Sequence, residues 1–125
     1  MRDRAMTKPS IFVVEDDPKL SEIVSITLQA DFEVETCGDG NTAMARLKNI
    51  APQIVILDLN LPGTSGREIL THIRADERLA RTRVILTTAD DRLAETLNNE
   101  ADIVLLKPVS PTQLRELALR LSSMQ

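Results

Sequence analysis

At 125 residues the chain has the length of one domain, enough to bury roughly two-thirds of the surface its unfolded form exposes. Hydrophobic residues make up 42% and charged residues 27%, as in an ordinary soluble globule, and the net charge of -4 argues against a nucleic-acid binder. One cysteine excludes an internal disulfide, and two phenylalanines with no Trp or Tyr exclude base-stacking platforms and aromatic cages.

The lone thiol, Cys37, suits a reducing compartment and reads as a small core or strand-end residue. No apolar run approaches the ~20 residues that cross a bilayer. The apolar stretch after Met1-Arg2-Asp3-Arg4 is cut at Glu15, too early for a secretory segment. A cytoplasmic protein without membrane contact is expected. Arg74, Arg78, Arg81 and Arg83 read as a solvated helix end and loop. Residues 1–9 are expected to form a disordered lead.

From there, strand-like and helix-like segments alternate. The run Ile11-Phe12-Val13-Val14 leads into Glu15-Asp16. Asp17 then offers a helix cap with Pro18 at the first helical position, and Leu20, Ile23, Val24, Thr27 and Leu28 recur at helical spacing. A short strand over 32–36 follows. Asp39 can cap a second helix with Ala43 and Leu47 on its buried face, ending before Pro52. Met44 reads as packing.

The run Ile54-Val55-Ile56-Leu57 reads as a strand buried on both faces, and it ends at Asp58. A Pro62-Gly63 turn leads to a helix with Ile69, Leu70 and Ile73 inward and His72, near Asp76, exposed. The fourth strand, Val84-Ile85-Leu86-Thr87, ends at Thr88. Asp90 or Asp91 opens a short helix holding Leu93 and Leu97. The fifth strand, Ile103-Val104-Leu105-Leu106, runs into Lys107-Pro108. Ser110-Pro111-Thr112-Gln113 has the pattern of a capping box and starts a helix with Leu114, Leu117, Ala118 and Leu121 inward. Parallel strands need helical crossovers of one hand, so the repeated strand-helix unit predicts an α/β fold: an open, doubly wound five-stranded parallel sheet with helices on both faces.

In such a sheet the crevice beyond the carboxyl ends of the strands is the ligand site. Glu15, Asp16 and Asp58 would meet there with Thr88 and Lys107. Two unit charges about 4 Å apart at an effective dielectric of roughly 20 repel by about 4 kcal/mol, so three carboxylates call for a cation. Oxygen donors without His or Cys specify a hard ion, and an open site suits Mg²⁺. Lys107 adds a fixed positive charge that can pair with Asp58. The set supports phosphoryl transfer with Asp58 as nucleophile, Lys107 neutralising phosphoryl charge and the Thr88 hydroxyl donating to a phosphoryl oxygen.

With these residues in place, the chain resembles the response-regulator receiver domain of two-component signalling, over about residues 10–122. Val13-Val14-Glu15-Asp16-Asp17-Pro18 resembles the family's acidic pair, Ile56-Leu57-Asp58-Leu59-Asn60-Leu61-Pro62-Gly63-Thr64-Ser65-Gly66 its phosphoacceptor segment, Thr88-Ala89 its switch pair and Lys107-Pro108 its Lys-Pro. The resemblance implies a flavodoxin-like strand order of 2-1-3-4-5. It implies that Asp58 is phosphorylated, that Asp16 ligates Mg²⁺ directly and Glu15 through water, that the Asn60 carbonyl ligates the metal, and that the Lys107-Pro108 peptide is cis. Counting along the fourth strand with the family pattern puts Thr88, not Thr87, in the switch place, and strand alternation lets only one of the two hydroxyls face the crevice.

Four departures cluster together: Val104 stands where the family has Tyr or Phe, Val109 where Phe is frequent and Glu100 where glycine is usual, and the stretch from Thr88 to Lys107 is about three residues short. All fall on the fourth helix and fifth strand, the side through which the family addresses partners. With no aromatic lever, switching is expected to rest on Thr88 and the loop after it. The implied partners are a sensor histidine kinase or phosphotransfer protein and a downstream protein target, without direct nucleic-acid contact by this domain, and a dimer that forms on phosphorylation. The alternative is a phosphorylation-independent, receiver-like interaction module. An Mg²⁺-dependent phosphohydrolase is disfavoured, because Asn60 sits where such enzymes carry a second acidic Asp; the chain is expected not to be an enzyme.

Overall fold

The computed structural model describes residues 7–123. Each helix begins where the sequence supplies an oxygen for orphan backbone donors. Asp17 accepts from Lys19 N and Leu20 N to start α1 (Pro18–Leu28), which follows β1 (Ser10–Val14). After β2 (Glu33–Cys37), Asp39 accepts from Thr42 N at the head of α2 (Gly40–Leu47). After β3 (Ile54–Asp58), Ser65 and Glu68 form a reciprocal capping box on α3 (Gly66–Ala75), which continues into a 3₁₀ turn at Glu77–Leu79. After β4 (Arg83–Thr88), Asp90 rather than Asp91 caps α4 (Asp91–Leu97). Ser110 caps α5 (Pro111–Ser122), beyond β5 (Ile103–Leu106), by accepting from Gln113 N.

All pairings are parallel and the order is β2-β1-β3-β4-β5, the doubly wound sheet that the strand-helix alternation and the family resemblance imply. Alternate residues of the central strands feed two cores. Phe12, Val14, Val55, Leu57, Val84 and Leu86 pack on one face, under Ala43 and Leu47 of α2, Ile69, Leu70 and Ile73 of α3, and Leu97 of α4. Ile11, Val13, Ile54, Ile56 and Ile85 pack on the other, under Val24 and Leu28 of α1 and Leu114, Ala118 and Leu121 of α5. Cys37 and Met44 are partly buried against the first core, as expected of packing residues.

Several expectations need correction. Ile23 is 51% exposed, because the α1 face that meets the sheet is carried by Val24 and Leu28. Phe32 is not a strand residue; the strand starts at Glu33, and the ring is buried in the second core. β5 is an edge strand, so its apolar run is only partly covered and Leu106 is 50% exposed. Leu117 is partly rather than fully buried. His72 is half-buried, with Nε2 3.9 Å from Asp76 Oδ2.

Arg81 is exposed as expected, but Arg74, Arg78 and Arg83 are ties rather than a solvated fringe. Arg74 donates to Glu100 O, Thr82 O and Asp102 Oδ2, and Arg83 donates to the other Asp102 oxygen. Arg78 donates to the carbonyls of Leu47 and Ile50. Of the expected lead, residues 1–6 lie outside the described residues. Within the rest, Lys8 Nζ donates to Gln29 O and Pro9 O accepts from Glu33 N. Among the described residues no helix is long and apolar enough to cross a membrane.

Candidate functional site

The ladder carries its pairing past the formal strand ends, and this fixes the side chains of the crevice. Glu15 N donates to Cys37 O at 3.0 Å, Leu59 N to Thr87 O at 3.0 Å and Lys107 N to Thr88 O at 2.8 Å. The tip of β1 therefore delivers Glu15 and Asp16, the last residue of β3 is Asp58, and Lys107 follows β5. The Lys107-Pro108 peptide is cis, as the resemblance implies.

Carboxylate oxygens of Glu15, Asp16 and Asp58 lie within 4.8 Å of one another. Asp58 is 1% exposed and Glu15 6%, whereas Asp16 opens to solvent. Lys107 Nζ stands 3.0 Å from Asp58 Oδ2 and 3.4 Å from Glu15 Oε1, the pairing expected when no phosphoryl group is present. The remaining oxygens take backbone donors: Asn60 N–H reaches Asp58 Oδ1 and Asp17 N–H reaches Glu15 Oε2, both at 3.0 Å. Asp17 thus caps a helix with its side chain and steadies the site with its backbone.

Burial pushes the Glu15 carboxyl above its ordinary range. The Asp17 N–H opposes this, the Asp58 charge adds to it, and Lys107 offsets it only in part. Burial alone would lower the Lys107 ammonium, but Asp58 and Glu15 together hold it above its ordinary value. The three carboxylates exceed the charge of Lys107, the donors are all oxygen, and neither His nor Cys belongs to the group, so the donor set fits a hard divalent cation.

Thr88 is completely buried at the end of β4. Its Oγ1 accepts from Asp90 N at 3.0 Å, which leaves the O–H free to donate, and no hydrogen bond joins it to the carboxylates among the described residues. Asn60 meets Asp58 through its N–H. The sequence reading gave Gly66 no role of its own and set Thr87 aside in favour of Thr88. A Cβ on Gly66 would lie 2.5 Å from Asp58 O and 2.7 Å from Leu59 Cα, so only glycine lets α3 start against the Asp58 backbone. Thr87 pairs with Asp58 across the β3–β4 ladder and is 2% exposed. The departures near α4 also find places. Val104 is partly buried with Leu93 against the core that holds Leu97, and Glu100 needs no left-handed backbone.

The sequence matches the family described as response regulator receiver domain over residues 11–119. It is 36% identical over 107 residues to the DNA-binding response regulator MtrA of Mycolicibacterium smegmatis, covering 83% of this chain and 46% of that protein. It is 34% identical over 104 residues to the DNA-binding dual master transcriptional regulator RpaA of Synechocystis, covering 80% of this chain and 43% of that one. The chain thus spans about half the length of these regulators or slightly less. The BeF3-activated DrrB receiver domain superposes with a TM-score of 0.84 at 31% identity, covering 94% of this chain and 99% of the other. The chemotaxis response regulator CheY4 of Vibrio cholerae gives 0.83 at 28% identity, with 92% and 99% covered. With the family model matched over residues 11–119 and relatives above 30% identity over at least four-fifths of the chain, the chain belongs to the response-regulator receiver family of two-component signalling.

Proposed function

We propose that this receiver accepts a phosphoryl group on Asp58 from the phosphohistidine of a sensor kinase or phosphotransfer protein and switches a protein-binding surface in response. The observation that carries the reading is the nearly sealed Asp58 carboxylate, held 3.0 Å from Lys107 with Glu15 and Asp16 alongside. A carboxylate oxygen of Asp58 attacks phosphorus. The P–N bond of the donor breaks, its electron pair stays on the imidazole nitrogen, which takes up a proton, and an acyl phosphate remains on Asp58. Mg²⁺, held by Asp16, Asp58, the Asn60 carbonyl and Glu15 through water, would supply the positive charge that the phosphoryl oxygens require. Lys107 moves from the carboxylate to those oxygens, and the free Thr88 O–H donates to one of them.

The same Thr88 hydroxyl holds the N–H of Asp90, the cap of α4. Drawing Thr88 toward the phosphoryl group therefore reaches the start of α4 without an aromatic residue at Val104. The face built from α4, β5 and α5, with Leu106 exposed on the edge strand, is the surface assigned to the downstream target and to a dimer formed on phosphorylation. On the donor side, a cleft of about 610 Å³ is lined by Glu15, Asp16 and Ile26, and Ile26 and Ile23 are 59% and 51% exposed. Ile26 gives a helical partner an apolar anchor in the cleft that Glu15 and Asp16 line, and Ile23 adds exposed apolar surface on the same helix. DNA binding belongs to the longer relatives by name; a net charge of -4 supports a protein partner for this chain. Receiver domains are signalling modules, and no turnover is assigned to this one.

Transfer from a phosphorylated histidine domain tests the reading. The parent should acquire hydroxylamine-sensitive label and Asp58→Asn none. Stable binding of the unphosphorylated chain to a partner, with no labelling, would favour the phosphorylation-independent module, which the packed Val104 position motivates.

A further inference from the structure

Two buried polar side-chain atoms, His72 Nε2 and Thr87 Oγ1, have no hydrogen-bond partner among the described residues. His72 lies on α3 with a carboxylate nearby, whereas Thr87 stands beside Asp58 in the sheet. Its Cα pairs with Asp58 on β3 and with Leu105 on β5. Registered partners in a sheet share a face, and Ile56 and Ile85, two residues before Asp58 and Thr87, lie together in the core under α1 and α5. Thr87 and Asp58 therefore project to the same side.

Lys107 follows β5 and Asp58 ends β3, with β4 between them. Neighbouring strands are about 4.8 Å apart, so the Lys107 side chain must cross β4 to come within 3.0 Å of Asp58 Oδ2. The β4 residue on that face at that level is Thr87. The hydroxyl is shut off from water and has no hydrogen-bond partner among the described residues.

A buried hydroxyl without a partner destabilises the state that contains it, and valine would fill the same strand position with no such defect. Both Asp58 oxygens already have donors, Asn60 N–H on Oδ1 and Lys107 on Oδ2. The surplus donor is a property of the unphosphorylated arrangement.

We propose that Thr87 is a further binding residue for phosphorylated Asp58: once Lys107 turns to the phosphoryl oxygens, the Thr87 O–H donates to an oxygen of the acyl phosphate. The inference rests on Asp58 as phosphoacceptor and adds a bond that only the phosphorylated state makes. Thr87 thereby biases the switch toward its active state alongside Thr88, which ends β4; the proposal thus sets aside the expectation that alternation admits only one of the two hydroxyls to the crevice.

Calorimetric titration with beryllofluoride in Mg²⁺, a stand-in for the phosphoryl group, tests it on the parent, Thr87→Val and Thr87→Ser. Thr87→Val should bind about tenfold more weakly, the worth of one hydrogen bond to a charged group, while Thr87→Ser stays close to the parent. In urea, ligand-free Thr87→Val should be at least as stable as the parent, since it removes the orphan. Equal affinity of parent and Thr87→Val overturns the inference. Weaker binding accompanied by lost ligand-free stability also overturns it, as packing damage. In the parent itself, a Thr87 Cβ resonance unmoved by beryllofluoride does the same. A parent that fails to bind at all removes the phosphoacceptor reading and this inference with it; a variant that merely fails to differ removes the inference alone.

Discussion

Lys107 stands between two nearly buried carboxylates, 3.0 Å from Asp58 and 3.4 Å from Glu15, and its ammonium offsets part of the negative charge gathered there. Removing one member of a buried ion pair leaves the other uncompensated. Lys107→Met should therefore lose about 1–3 kcal/mol in urea unfolding, and added Mg²⁺ should recover more stability in the variant than in the parent. An unaltered midpoint would mean that the pair contributes nothing to folding. The four charged members of this group were legible because each interrupts or ends an apolar run where a buried strand has no use for a charge. Thr87 was not: threonine is an ordinary strand former, and only the crossing of Lys107 over β4 turns its hydroxyl into an anomaly.

Between elements, Asp102 ties the lower ends of β4 and β5 to α3. Its carboxylate accepts from Val84 N at 2.7 Å and pairs with Arg74 at 3.0 Å and Arg83 at 3.2 Å. Burial alone would raise its pKa, but these donors outweigh burial and hold it below the ordinary carboxylate range. A depressed folded-state pKa stabilises above the unfolded value of about 4 and loses that contribution as pH falls through the folded value. Asp102→Asn should thus be less stable than the parent by roughly 1–2 kcal/mol near neutrality, with the gap closing below about pH 4. A gap independent of pH would assign the loss to geometry instead of charge. The sequence showed Arg74, Arg78 and Arg83 as a positive fringe because linear spacing does not reveal the carbonyls of α2 and the α4–β5 turn that fold against them. Ile23 was misplaced for a related reason: helical period alone allows a wider apolar stripe than α1 buries.

Across the assembled domain, the strand-helix alternation was legible because fully apolar strands and capped amphipathic helices differ in period, and the sheet order followed from the motif resemblance. What the sequence left open is how the acceptor end reaches α4 with Val104 in place of an aromatic. The Thr88–Asp90 bond supplies a path, so beryllofluoride with Mg²⁺ should shift the amides of Ala89, Asp90 and Asp91 along with those of the metal site. Shifts confined to residues around Asp58 would contradict that path. The exposed α1 isoleucine adjoining the acidic cleft gives a second expectation: Ile26→Asp should slow transfer from a phosphohistidine protein roughly tenfold, an interface anchor's worth, and leave uptake from acetyl phosphate near the parent rate. Equal slowing with both donors would place the damage in the acceptor site. Beneath all of this lies the assignment of Asp58 as the phosphoryl acceptor, and intact mass spectrometry after incubation with acetyl phosphate decides it. The account requires the mass of one phosphoryl group on the parent in Mg²⁺, little in chelator, and none on Asp58→Asn; the same mass gain on Asp58→Asn, or none on the parent with Mg²⁺ present, would contradict it.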